Sequence, residues 1–237
     1  MIKFFKNLFR LLLINTPFFI ILNYIKNFLP NYKTKIKSLR IEKEIYSNFI
    51  SLDPNKKWFC NNLNFLSNTF KNVNNVNNIL EIGSYEGRSA IFFLKKFKNT
   101  KITCVDTWSG SDEHDKTKFA DIEKNFDLNT NFFLKENRVK KFKMTSNEFF
   151  EKNDDKFDLI FVDGDHTASQ VLKDLKNSWN ILIDGGYLIL DDYLWWYYKD
   201  LNKNPSTPIN KFIIDNINEI VFLKIWHQVI VKKKIKS

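Results

Sequence analysis

Four short apolar runs in this chain end in glycine or in acids, and most hand over to stretches with helical spacing. Ile79-Leu80-Glu81-Ile82 stops at Gly83, and Ile102-Thr103-Cys104-Val105 stops at Asp106. Phe157 to Val162 runs into Asp163-Gly164-Asp165-His166, and Leu188-Ile189-Leu190 runs into Asp191-Asp192. Apolar runs this short read as buried strands. Between them, Arg88 to Lys98 places Ala90, Ile91, Phe93, Leu94 and Phe97 on one helical face. Residues 167–180 do the same with Val171, Leu172, Leu175 and Trp179. Strand–helix alternation predicts an α/β fold with a doubly wound, mostly parallel sheet. Weaker signals complete it: strand Val139 to Lys143, helices at 116–128, 146–152 and 208–217, and strands Tyr187 to Leu190, Ile220 to Ile225 and Val229 to Lys232. The expectation is a seven-stranded sheet with an antiparallel closing strand, preceded by N-terminal helices in the polar stretch 31–75.

A length of 237 residues suits one globular domain with appendages. The charge is uneven. Residues 1–48 carry nine Lys/Arg against two Glu, and residues 221–237 carry five Lys and no acid. The stretch between is close to neutral, which argues against a nucleic-acid partner. Cys60 and Cys104 cannot make a disulfide framework and fit a reducing compartment; Cys104 reads as a buried thiol. Residues 1–30 are apolar and basic, but Asn15, Thr16, Pro17 and Asn23 interrupt the roughly 20 apolar residues that a spanning helix needs. Lys3, Lys6 and Arg10 beside Phe and Leu suit a helix lying on an anionic membrane. The rival expectation is a helix packed on the domain or in a homo-oligomer interface. The division expected is residues 1–50 as a basic, apolar helical extension and 51–237 as the domain, in the cytoplasm with peripheral membrane contact.

Glu81-Ile82-Gly83-Ser84-Tyr85-Glu86-Gly87-Arg88-Ser89 follows a strand and opens a helix. Glycines there let the main chain approach a ligand at a helix N-terminus. The spacing lacks the middle glycine that admits a pyrophosphate in dinucleotide-binding turns, which disfavours a nicotinamide-dependent enzyme. Asp106, ending the next strand, stands where an acid would take ribose hydroxyls. Four blocks then resemble a class I S-adenosylmethionine-dependent methyltransferase of Rossmann-like fold. They are Leu80 to Ser89, Val105 to Gly110, Val162 to His166, and Gly185-Gly186 through Asp191-Asp192-Tyr193. The resemblance is strongest to the macrocin-type family of sugar and small-molecule O-methyltransferases.

That resemblance implies an enzyme with S-adenosyl-L-methionine as cofactor and a glycan or small-molecule hydroxyl as substrate. It implies that Glu81 and Gly83 line the cofactor, with Ser84, Tyr85, Gly87, Ser89, Thr107, Trp108 and Asp163 beside it. It implies that Asp106 holds the ribose and that Met144-Thr145-Ser146 lies near the adenine. Thr145 and Glu148 also spell a capping box, the reading favoured there. Asp163, Asp191 and Asp192 are the expected ligands of Mg²⁺ or a similar cation, because adjacent carboxylates repel unless neutralised. The alternative is that these acids cap turns. His166 is the expected catalytic base, kept neutral by a helix N-terminus, and Asp165 the expected helix cap. His114 lies in a polar loop, and His227 carries no assigned role. The aromatic run Tyr193 to Tyr198 reads equally as core or as a stacking surface. A non-catalytic scaffold held at membranes is the other rival.

Overall fold

The structure is a computed structural model and describes residues 31–55, 57–110, 119–195 and 198–236. Residues 1–30 and the loop around His114 lie outside the described residues, as do Trp196 and Tyr197. The membrane expectation for 1–30 therefore has no structural counterpart here. No helix among the described residues is long and apolar enough to cross a membrane.

Seven strands form one sheet: β1 Asn78–Ile82, β2 Lys101–Asp106, β3 Val139–Lys143, β4 Phe157–Val162, β5 Leu182–Leu190, β6 Ile220–Ile225 and β7 Val229–Lys233. Their order across the sheet is β3-β2-β1-β4-β5-β7-β6. The first five are parallel, and β7 is antiparallel to both β5 and β6. Only β7 thus runs against the rest, as the closing pattern predicts. The chain winds outward from β1 to β3, then returns to place β4 on the other side of β1. That reversal opens a crevice at the carboxyl ends of β1 and β4, where sheets of this kind keep ligands.

Helices cover both faces. On one lie α1 (Asn31–Ile45), a 3-10 turn at Phe59–Asn62, α2 (Leu63–Thr69), α3 (Arg88–Lys96) and α4 (Phe119–Lys135). Phe59, Leu66, Phe93, Phe126 and Phe161 build the core beneath them. On the other face lie α5 (Ser146–Lys152), α6 (Ala168–Ile181) and α7 (Ser206–Asp215), over Leu80, Ile160, Val171, Leu175 and Phe212. Burial on both faces is why the central strands read as continuous apolar runs. Along β1, Ile79 and Leu80 go to opposite cores, since successive side chains alternate.

Two elements differ in extent from their sequence expectation. Helix α4 runs to Lys135, well past 128, because Phe126, Thr130 and Phe133 keep a buried stripe at helical spacing. Strand β5 starts at Leu182, before the Asp184-Gly185-Gly186 segment expected as a turn. A register shift against β4 between Phe157 and Leu159 absorbs the glycines within the strand. Capping at α5 matches expectation: the Thr145 hydroxyl accepts the Glu148 N–H, and Glu148 accepts the Thr145 N–H.

Residues 46–50 pack on the sheet domain. Tyr46 is buried and its hydroxyl donates to the carbonyl of Arg88 at 2.7 Å. Ile50 exchanges two hydrogen bonds with the Asn129 side chain of α4.

Candidate active site

The turn after β1 is built around Asp106. Its Oδ2 accepts the main-chain N–H groups of Ser84 and Tyr85, each at 2.8 Å, and its Oδ1 accepts that of Trp108 at 2.7 Å. The acid at the end of β2 therefore holds the glycine turn of β1. Tyr85 and Trp108 both adopt positive φ, 46° and 50°. Non-glycine residues pay for that conformation, and they keep it only where the surroundings impose it. Here the imposition is visible: Trp108 is buried, and its indole N–H donates to the Tyr85 carbonyl at 2.9 Å. Gly83 has φ +84°, and a Cβ there would collide with the main chain of Asp163 and Gly164. Gly87 also has φ +84° and abuts Thr130 and Phe126 of α4. Gly164 needs no positive φ; it lets β4 pass close to Ile82.

Glu81 lies fully buried beneath this turn. Burial pushes its carboxyl up to about 7, against the pull of the nearby Ser84, Ser89 and Cys104 side chains. Oε1 of Glu81 and the hydroxyl oxygen of Ser84 are buried without a hydrogen-bond partner among the described residues. Orphaned acceptors of this kind beside a glycine turn suit a ligand that brings its own donors. An amino-acid ammonium is such a donor, so the residues present fit S-adenosylmethionine.

At the ends of β4 and β5, Asp163, His166 and Asp192 converge. One ligand atom from each lies within 4.8 Å of the others. His166 Nδ1 is 3.2 Å from Asp192 Oδ2. Two carboxylates and an imidazole can hold a divalent cation; the oxygens suit Mg²⁺ and the imidazole suits softer metals. Asp192 has φ 54°, so three of the four non-glycine residues with positive φ among the described residues sit at strand ends in this crevice. The ring of Trp195 lies 5.1 Å from that of His166.

Asp191, expected among the cation ligands, is placed otherwise. Its Oδ1 accepts the Asp192 N–H at 2.8 Å, and its Oδ2 accepts Nε2 of Gln228 at 2.9 Å. Burial, then the Asp192 carboxylate, pushes its pKa up. The mutually close ligand atoms thus come from Asp163, His166 and Asp192, while Asp191 is hydrogen-bonded to the turn of Asp192. Asp165 does not cap α6 in the expected way either: Thr167 is the residue at the cap, and Asp165 accepts the Thr167 N–H at 2.7 Å.

Residues 80–193 match the family model described as a methyltransferase domain. That stretch holds the glycine turn, Asp106, the His166 cluster and the Asp191-Asp192 pair. This stretch of the chain is a methyltransferase domain. The match replaces the nicotinamide-enzyme reading. An uncharacterized protein, R132, of Acanthamoeba polyphaga mimivirus is 26% identical over 158 residues, which are 63% of this chain and 64% of that protein. Among solved structures, an O-methyltransferase of Bacillus cereus in complex with S-adenosylhomocysteine aligns with a TM-score of 0.51 and 17% identity. That alignment covers 86% of this chain and 93% of the other. MycE methyltransferase of the mycinamycin biosynthetic pathway, in complex with Mg, S-adenosylhomocysteine and mycinamycin VI, aligns with a TM-score of 0.52 and 17% identity. There the overlap is 84% of this chain and 54% of MycE. At these identities the structural likeness establishes the fold.

Other expected site residues of the methyltransferase are accounted for by their contacts. Ser89 is buried at the start of α3. Thr107 accepts the Ser109 N–H. Trp108 faces the interior, with its indole N–H already taken by Tyr85. Ser146, in the segment expected near the adenine, accepts Gln170 Nε2 and faces Asp174 of α6. Three residues make contacts that the sequence pattern does not assign. Glu86 is buried and binds Ser51, Leu52 and Asn125, tying the N-terminal segment and α4 to the glycine turn. Gln228 braces Asp191 from β7. Tyr193, expected within an aromatic run of open role, is core: fully buried, with its hydroxyl donating to Asn210.

Proposed function

We propose that this methyltransferase transfers a methyl group from S-adenosylmethionine to a hydroxyl of a sugar, a glycan or another small ring-bearing molecule. The observation that carries the reading is the approach of His166 Nδ1 to Asp192 Oδ2, 3.2 Å apart, at the mouth of the sheet crevice. A carboxylate on Nδ1 holds the proton there and leaves Nε2 as the acceptor. His166 Nε2 then takes the proton of the substrate hydroxyl as the oxygen attacks. Glu81, the Gly83–Gly87 turn and the Asp106 side would bind the cofactor, which supplies an already activated methyl on its sulfonium. Because that donor is activated, orientation by these residues supplies much of the rate.

Asp163 and Asp192 would hold a divalent cation, which when bound lowers the pKa of a coordinated hydroxyl. MycE, with Mg in its structure, supports this reading by analogy of fold. Trp195 offers a flat apolar face beside His166, which supports a ring-bearing substrate. Basic residues at both ends of the chain support work near an anionic membrane surface.

The test is S-adenosylhomocysteine release over a panel of nucleotide sugars, glycans and phenols, with and without EDTA. His166→Ala is expected to lower kcat by about 10²- to 10⁴-fold. EDTA is expected to lower it in the wild type. Full activity in both conditions removes the base and the cation from the mechanism.

A further inference from the structure

We propose that Asp191 is a positioning residue: braced by Gln228, its carboxylate sets the turn that aims Asp192 at His166. The proposal rests on the reading of His166 as the base oriented by Asp192.

The sheet builds this brace. Strand β7 begins with Val229 paired to Leu190 of β5, so the next antiparallel pair is Gln228 opposite Asp191. Gln228 is fully buried, and its carbonyl accepts the Trp226 N–H at 2.8 Å. Trp226 in turn stacks on Phe65 of α2, with ring centroids 6.5 Å apart. Gln228 is therefore held at the hairpin tip, and its Nε2 meets Asp191 Oδ2 at 2.9 Å. The other oxygen, Oδ1, accepts the Asp192 N–H at 2.8 Å. Both oxygens of Asp191 thus hold groups of the protein in place.

The consequence falls on Asp192. In a continued strand, Asp191 and Asp192 would point to opposite faces. Asp192 instead turns at φ 54°, a conformation that costs an L residue of order 1 kcal/mol. The hydrogen bond from its N–H to Asp191 offsets that cost. Once turned, Asp192 places its carboxylate at His166 Nδ1 and its carbonyl where Trp195 N–H donates at 2.9 Å. One main-chain turn thereby sets both the partner of the base and the ring beside it.

The full chain has three histidines, so long-range proton–nitrogen spectra at a pH where imidazoles are neutral resolve them, with His166→Gln as the assignment control. In the wild type, His166 is expected to carry its proton on Nδ1. Asp191→Asn is expected to keep that signature, because its amide oxygen still accepts the Asp192 N–H and the Gln228 amide can turn to accept the new NH₂. Asp191→Ala is expected to lose the Nδ1 preference. If Asp191→Ala does not fold, Gln228→Leu removes the same brace and is expected to shift the signature likewise. An unchanged signature in the folded variant overturns the proposal.

Mn²⁺ binding followed by paramagnetic resonance is the second readout. Asp163→Asn and Asp192→Asn are expected to weaken it about tenfold or more, since each removes a charged oxygen ligand. If the wild type takes up no Mn²⁺, the cation reading above falls, while the imidazole signature still decides the role of Asp191.

Discussion

The main-chain carbonyl of Asp163 occupies the space that a side chain on Gly83 would need. The turn that follows β1 and the carboxylate end of β4 are therefore packed against each other without room for one methyl group. The proposed cofactor turn and the proposed cation cluster share this contact, at the point where the winding of the sheet reverses. Gly83→Ala is expected to fail on two counts, the collision and φ +84°. A loss of more than about 3 kcal/mol in denaturant unfolding is anticipated. Near-wild-type stability would mean that the β1 and β4 ends stand further apart.

Asp106 makes three main-chain hydrogen bonds before any ribose arrives. Asp106→Asn puts a donor where one N–H now finds an acceptor. It is expected to lower cofactor-free stability by about 1–3 kcal/mol and also to weaken S-adenosylhomocysteine binding. Calorimetric binding and thermal melting separate the roles. If binding falls while the melting temperature holds, Asp106 serves the ribose alone.

Glu81 makes cofactor-free stability depend on pH. Its folded pKa is about 7 against an ordinary 4.5, so the folded state binds the proton more tightly. This contribution is fully present below about 4.5 and is lost as pH rises to about 7, by up to about 3 kcal/mol. Buried Asp174, pushed up to about 6, adds in the same direction. Melting temperature should therefore fall from pH 5 to pH 7.5 in the wild type, and Glu81→Gln should flatten the slope. Identical slopes in the two proteins would refute the assignment.

The segment 1–30 is expected to contact anionic lipid. Full-length chain should float with vesicles containing phosphatidylserine, and a chain lacking residues 1–30 should float at least about tenfold less. Lys3, Lys6 and Arg10 changed together to Glu should mimic the deletion at low salt and converge with the wild type at high salt. Equal flotation of all three moves the contact elsewhere.

Much of the crevice was legible along the chain. The strands ending at Gly83, Asp106, Asp163 and Asp191 announce themselves because parallel strands are apolar on both faces and must stop in polar residues where water begins. Thr145 and Glu148 announce the α5 cap because a capping box is local. Glu86 was not legible: its partners Ser51 and Asn125 lie 35 and 39 residues away. Gln228 was hidden for the same reason, at a separation of 37 residues from Asp191.

The division of labour between Asp191 and Asp192 shows where sequence stops. Local pattern determined the doubly wound sheet, its closing hairpin and the strand ends that carry acids, since periodicity and turn chemistry act over a few residues. It could not rank two identical neighbours. The tertiary structure decided that ranking. β7 delivers Gln228 to one carboxylate, and the resulting left-handed turn swings the other onto His166. Which acid faces the base is set by a hydrogen bond across the sheet, and such bonds exist only once distant strands have paired.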